Sequence, residues 1–345
     1  MTLKSDIYGT MPDDRKITLF ELENANGIKV SLINYGATVV SIETPDRNGN
    51  IADIAQGFDD LESWTKRNDP YFGATIGRCA NRIGKGRFTL DGVEYQLAIN
   101  NGPNSLHGGL TGFDKKVWDA EVLPSTQHPA VKFTLISPDG EENYPGTLTC
   151  SVTYKLTDDN KLIMEYTAET DKPTIANFTN HTYFNLGGHD SGSIQDHEIE
   201  IRANYYTPTD DDILVTGVID PVDGLLVDLR KPVRIGSRID EVGGFDHNYV
   251  LNKERDTNLG VARVKDPATG RTLEVFTTEP GLQFYSANFL NCIQGKGGTK
   301  YENQTSFCLE AQRFSDAINH DNFPNPVLRP GEKYSQITTY RFGVE

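Results

Sequence analysis

An all-β fold, a sandwich or a barrel, is predicted by three observations. Apolar and polar residues alternate with period two along most of the chain, Gly, Asp, Asn and Pro separate the alternating runs, and helical periodicity is confined to two short stretches. Strands that succeed one another without helices between them point away from βαβ units.

Taken in order, the apolar-rich run from Val30 to Ile42 reads as strand, followed by the turn sequence Pro45-Asp-Arg-Asn-Gly-Asn50. Arg87-Phe-Thr-Leu and Val93-Glu-Tyr-Gln-Leu flank Asp91-Gly92. That dipeptide tolerates the positive φ angles of a two-residue hairpin turn. Val131 to Ile136 leads into Pro138-Asp-Gly140, and strands continue at Leu148 to Leu156, Lys161 to Ala168, His197 to Tyr206, Thr272 to Thr277, Gln283 to Ser286 and Gln336 to Phe342. The helical stretches are Asp59 to Lys66 and Pro232 to Ile239. With no fixed-period repeat, low-complexity tract or Pro/Ser-rich linker, residues 1–345 are expected to form one domain.

A net charge of −16 argues against nucleic acid and against anionic membrane as partners, since phosphate binding needs clustered Lys and Arg. No apolar run approaches membrane-spanning length. Cys79, Cys150, Cys292 and Cys308 are far apart and form no C-x-x-C pair, so they read as buried free thiols rather than zinc ligands or disulfides. Asn177-Phe-Thr, Asn180-His-Thr and Asn303-Gln-Thr would be glycosylation acceptors in a secreted chain. Two of them fall among the candidate site residues, which favours a cytoplasmic protein.

Several chemistries lack their pattern. Gly295-Lys-Gly-Gly-Thr299 does not fit a phosphate-binding loop, and no G-x-S-x-G elbow is present. His189, His197 and the acidic run Asp210-Asp-Asp212 match no metal-ligand spacing. What remains is a set of polar residues beside glycine-rich turns: His181 in Asn177-Phe-Thr-Asn-His-Thr-Tyr-Phe-Asn-Leu-Gly-Gly188, His107 before Gly108-Gly109, Asp246 after Gly243-Gly-Phe, and Glu310 in Cys308-Leu-Glu-Ala-Gln312. At their unperturbed pKa values, ~6.5 and ~4.3, His181 could give a proton while Glu310 accepts one. The guanidinium fork of Arg82 and the carboxylate of Asp246 suit a ligand rich in hydroxyl groups.

These segments resemble the aldose 1-epimerase (galactose mutarotase) family. The matching stretches are Pro70-Tyr-Phe-Gly-Ala-Thr-Ile-Gly-Arg-Cys-Ala-Asn-Arg-Ile83, Ile99-Asn-Asn-Gly-Pro-Asn-Ser-Leu-His-Gly-Gly109, Asn180-His-Thr-Tyr-Phe-Asn-Leu186, Phe245-Asp-His-Asn248, Pro280-Gly-Leu-Gln-Phe-Tyr285, Leu309-Glu310, Phe323-Pro324 and Leu328-Arg-Pro-Gly-Glu332. They run in family order from near residue 30 to the end. Cys79 and Thr182 depart from the aliphatic residue and the Ser common there, and neither removes a proton-transfer group.

The resemblance implies a large antiparallel β-sandwich with a concave face, the galactose mutarotase-like supersandwich, with few short helices. It implies His181 as proton donor, Glu310 as proton acceptor, and Asn81, Arg82, His107, Tyr183, Asp246 and Gln283 around a free hexose, galactose or glucose, with no metal and no organic cofactor. On those roles the pH profile is bell-shaped, its lower limb from Glu310 and its upper limb from His181. Three rivals stand beside this expectation. A glycoside hydrolase would use Asp246 and Glu310 as paired carboxylates. A hexose-phosphate epimerase would need more Lys and Arg around the pocket than Arg82 alone. A non-catalytic sugar sensor would keep the hydroxyl-binding groups without needing both His181 and Glu310.

Overall fold

The computed structural model describes residues 2–124, 128–252 and 259–345. Among them, three antiparallel sheets carry the architecture. A five-stranded meander runs in chain order through Thr2–Thr10, Lys16–Glu23, Lys29–Ile33, Thr38–Pro45 and Ile51–Asp53. A nine-stranded sheet follows the spatial order Asp119–Val122, Ala130–Ser137, Leu148–Leu156, Lys161–Thr170, Tyr334–Val344, Arg271–Thr277, Ala262–Lys265, Glu198–Ile201 and Val233–Arg234. A second five-stranded sheet is ordered Asp220–Pro221, Tyr205–Thr207, Asp246–Val250, Gly281–Tyr285 and Cys308–Gln312.

Period-two alternation explains how these sheets face one another. Leu148, Cys150, Val152, Tyr154 and Leu156 point into one apolar core, as do Leu162, Met164, Tyr166 and Ala168 of the paired strand. Phe20, Leu22, Val30 and Leu32 reach that core from the meander, and Tyr249, Leu282, Phe284, Leu309 and Ala311 reach it from the second five-stranded sheet. The result is a sandwich whose buried side chains each contribute about 1.5–3 kcal/mol of transfer free energy.

The Asp91-Gly92 hairpin forms, with Arg87–Leu90 paired to Val93–Gln96 and φ angles of 50° and 82° at the two turn residues. Other expectations need correction. The run from Val30 to Ile42 is two strands, bent at Asn34–Ala37, where Gly36 and Ala37 take positive φ. The run from His197 to Tyr206 is also two strands, in different sheets, because the chain turns at Ala203, whose N–H donates to the Ile201 carbonyl at 3.0 Å. The first helix spans Leu61–Arg67, with the Asp60 carboxylate capping the Ser63 N–H at 2.8 Å. From Pro232 to Ile239 there is almost no α-helix. The Ile235 and Gly236 N–H groups are drawn to the carbonyls of His197 and Gln195, giving a short strand and a 3₁₀ turn before the four-residue helix Ile239–Val242. Cys79, Cys150 and Cys308 are buried free thiols, but Cys292 is exposed. No helix among the described residues is long and apolar enough to cross a membrane.

Candidate active site

The same alternation that buries Tyr249, Leu282, Phe284, Leu309 and Ala311 turns the intervening polar residues to the opposite face. Cross-strand register places Asp246 opposite Tyr285 and Tyr285 opposite Cys308. One pair further on, Asn248 faces Gln283 and Gln283 faces Glu310. Glu310 is held in place from beneath. Tyr340 donates to the Leu309 carbonyl at 3.1 Å and Gln336 donates to the Ala311 carbonyl at 3.1 Å, so the strand is pinned on either side of the carboxyl-bearing residue.

His181 arrives from elsewhere, just past the short strand Thr179–Asn180 that pairs with Thr75–Ile76. Its N–H donates to the Ala74 carbonyl at 2.9 Å and its carbonyl accepts from Gly73 N–H at 3.0 Å. Gly73 has to be glycine: its φ is 65°, and a Cβ there would lie 2.0 Å from the Val39 carbonyl oxygen. Asn81, Arg82 and His107 sit on a third ribbon, where Arg82–Ile83 pairs with Ser105–Leu106. Gly108 lets that ribbon pack closely, since a Cβ would come within 2.0 Å of the Gly77 oxygen. Tyr71, Asn81 and His107 have φ of 67°, 64° and 52°. Left-handed conformations at non-glycine residues cost about 1–3 kcal/mol each and concentrate at functional sites.

Seven of the eight anticipated residues, His181, Glu310, Asn81, Arg82, His107, Tyr183 and Asp246, line one cleft of about 820 Å³. Gln283 does not line it. Its amide donates at 2.6 Å to Asp246 Oδ1, while Arg82 Nη1 lies 3.8 Å from Asp246 Oδ2. Arg82 also donates from Nε to Asn101 Oδ1 at 3.0 Å, which fixes its fork. Tyr183 spends its hydroxyl on the Pro70 carbonyl at 3.0 Å and offers the cleft its ring.

His181 Nε2 stands 3.6 Å from Glu310 Oε2, with both groups almost wholly buried. Burial pushes His181 down to about 4. The Glu310 carboxyl is raised well above its usual range by burial first and by the Asp246 charge second, with Arg82 opposing. His107 is lowered well below its ordinary value by burial, then by His181, Arg82 and Lys115. Burial therefore shifts the two groups in opposite directions from the unperturbed values, His181 toward its neutral form and Glu310 toward its protonated form.

His107, His181 and Glu310 each bring a ligand atom within 4.8 Å of the others, a spacing that a divalent ion could bridge. The hydrogen bonding of His107 disfavours that use. Its Nδ1 accepts the Asn81 N–H at 3.2 Å, so the neutral ring carries its proton on Nε2 and presents a donor, not a lone pair, on that side. Such a donor suits a sugar hydroxyl.

Sequence reasoning passed over Tyr71, Asn101 and Tyr285, all of which line the cleft. Tyr285 was within reach, since it shares the polar face of its strand with Gln283. Lys66, Arg67 and Lys115 also line the outer cleft, so the expectation of a single cation, Arg82, is corrected. Each already has a partner: Lys66 with Glu62 at 2.8 Å, Arg67 with Ser63 and the Phe58 ring, and Lys115 with Asp114 at 3.0 Å.

Comparison with known proteins points in one direction. The family described as aldose 1-epimerase matches residues 18–341. A galactose mutarotase from Homo sapiens is 46% identical, covering 98% of this chain and 98% of its own, and one from Sus scrofa is 44% identical over 100% and 99%. An aldose 1-epimerase from Escherichia coli strain K12 is 36% identical over 97% of each chain. Among solved structures, a GalM/aldose epimerase homologue from C. elegans superposes with a TM-score of 0.89 at 31% identity, covering 94% of this chain and 98% of the other. A galactose 1-epimerase from Lactobacillus acidophilus gives 0.85 at 30% identity over 99% of both.

Proposed function

The chain belongs to the aldose 1-epimerase family, and we propose that it interconverts the α- and β-anomers of free hexoses, D-galactose and D-glucose, with Glu310 and His181 moving the protons. The observation that carries this reading is the buried His181–Glu310 pair, 3.6 Å apart, in a cleft also lined by Arg82, Asp246 and His107.

The steps balance without an outside reagent. Glu310 takes the proton of the C1 hydroxyl while the C1–O5 bond breaks and His181 protonates O5. The open aldehyde rotates about C1–C2. The C5 hydroxyl then adds to the other carbonyl face, both protons return, and each residue ends as it began. A C1 hydroxyl donating to Glu310 Oε2, which has no hydrogen-bond partner among the described residues, favours the ionised carboxylate. Sugar binding thus favours the charge on Glu310 and the proton on His181, the acceptor and donor the reaction needs. Arg82, Asp246 and His107 hold the remaining hydroxyls, and Gln283 holds Asp246. Residues 1–345 act as one domain in this reading, and the four free thiols support a reducing, cytoplasmic setting.

The direct test is polarimetry on freshly dissolved α-D-galactose. The protein should bring rotation to equilibrium far faster than buffer and should release no sugar from an aryl galactoside. Equilibration at the buffer rate, or aryl release, would reject the epimerase reading. D-galactose 6-phosphate belongs in the same series because of Lys66, Arg67 and Lys115, and a preference for it over galactose would move the assignment to phosphosugars.

The pH dependence follows from the one-proton requirement. Below about 4 His181 takes a second proton onto the pair, and no group is left to accept from C1. Above the raised value of Glu310 the last proton is gone, and no donor is left for O5. The limb assignment expected from unperturbed values is thus reversed. The profile of kcat/KM should have its acid limb near about 4, set by His181, and its alkaline limb above the ordinary carboxylate range, set by Glu310. An acid limb centred at the ordinary histidine value of ~6.5 would contradict it.

A further inference from the structure

Tyr71 combines a costly backbone with an unusual set of neighbours. Its φ of 67° places a bulky aromatic residue in the left-handed region, where such residues persist only if their surroundings hold them. The hold is visible. Tyr71 N–H donates to the Asn68 carbonyl at 3.1 Å and Ala74 N–H donates to the Tyr71 carbonyl at 3.1 Å. Within this same turn, Gly73 and Ala74 bind the backbone of His181 at 3.0 and 2.9 Å. The strained turn and His181 are one hydrogen-bonded unit.

The side chain repeats the pattern. The Tyr71 ring lies 6.1 Å from the His181 ring at 28°, and 4.7 Å edge-on from the His107 ring. Tyr183 also lies nearly parallel to His181, at 5.0 Å and 19°, and its hydroxyl bonds the carbonyl of Pro70, the residue just before Tyr71. Lys115 Nζ stands over the Tyr71 ring at 5.2 Å, anchored by the buried Asp114 carboxylate at 3.0 Å. Lys115, the Tyr71 ring and the two histidine rings thereby form one contiguous cluster around the proposed proton donor, His181.

We infer that Tyr71 is a positioning residue: its ring fixes the planes of His181 and His107 and keeps water from His181 while the sugar ring opens and recloses. This rests on the proton-donor role proposed for His181. The ring makes these contacts, so phenylalanine should replace it and an aliphatic side chain should not. A misaimed donor loses on the order of 10²-fold in rate.

The test compares wild type with Tyr71→Phe, Tyr71→Leu and Tyr71→Met, two aliphatic variants being made so that one folded protein suffices. Rotation of α-D-galactose is followed to separate kcat from KM across pH. Tyr71→Phe should keep the wild-type kcat. The aliphatic variants should lose about 10²-fold in kcat with KM little changed, and their acid limb should move up toward the ordinary histidine value as water reaches His181. Aliphatic variants with the wild-type kcat and acid limb would overturn the inference. So would an effect on KM alone, or a Tyr71→Phe variant as slow as the aliphatic ones, which would locate the function in the hydroxyl. Wild type no faster than buffer would reject the acid/base reading itself, a failure separate from that of Tyr71.

Discussion

Glu310→Gln should fold as the wild type does and lose about 10² to 10⁴ of its kcat toward α-D-galactose, the range that a positioned general acid or base supplies. The folded state should tolerate the change for a specific reason. Burial raises the Glu310 carboxyl and so favours its neutral form, for which a neutral amide of the same shape is a close substitute. The backbone anchors from Tyr340 and Gln336 bond the Leu309 and Ala311 carbonyls and do not involve the side chain. The amide can still sit against a C1 hydroxyl, so KM should move far less than kcat. What it cannot do is accept the proton. Thermal melting and polarimetry on the same preparation check both halves, and a Gln variant with more than about a tenth of the wild-type kcat would fall outside the general-base range and remove Glu310 from the mechanism.

The residues at stake here were legible in the sequence to different depths. Strand positions followed from period-two alternation wherever both neighbours of a strand lie in one sheet, as with Leu148 to Leu156. They failed where tertiary hydrogen bonds redirect the chain, as at Ile235–Gly236, because such partners are remote in sequence. The identities of His181, Glu310, Arg82 and Asp246 were visible as polar residues beside glycine turns. Their charge states were not, because burial sets them and burial belongs to the assembled sheets. Gln283 shows the same limit on a smaller scale: the family resemblance implied a sugar ligand, and only the register with Asp246 and Glu310 puts it behind Asp246. Lys66, Arg67 and Lys115 lie outside the residues singled out for the site, and only folding brings them to the cleft.

His181→Asn carries the second large effect, and its sign with pH separates the proposed roles from any structural explanation. Asparagine offers hydrogen bonds but no proton that titrates near neutrality, so O5 must leave as an alkoxide or take its proton from water, and kcat should fall by about 10² to 10⁴. The smaller side chain also leaves space against Tyr71 and Tyr183, whose rings stack on the imidazole at 6.1 and 5.0 Å, so some loss of stability is expected and is measured separately by thermal melting. A merely loosened site would keep the shape of the wild-type pH profile at lower amplitude. Loss of the donor changes that shape. With His181 gone, the titrating group of the pair is Glu310 alone, and it must be ionised to accept from C1. Residual activity should therefore rise with pH as Glu310 loses its proton, over the range where wild-type activity falls. Added imidazole should restore part of the rate in His181→Ala, where the space is larger. A His181→Asn profile that declines on the alkaline side as the wild type does would mean that the proton delivered to O5 comes from another group, and His107, whose ring is 5.2 Å away, would be the next to replace.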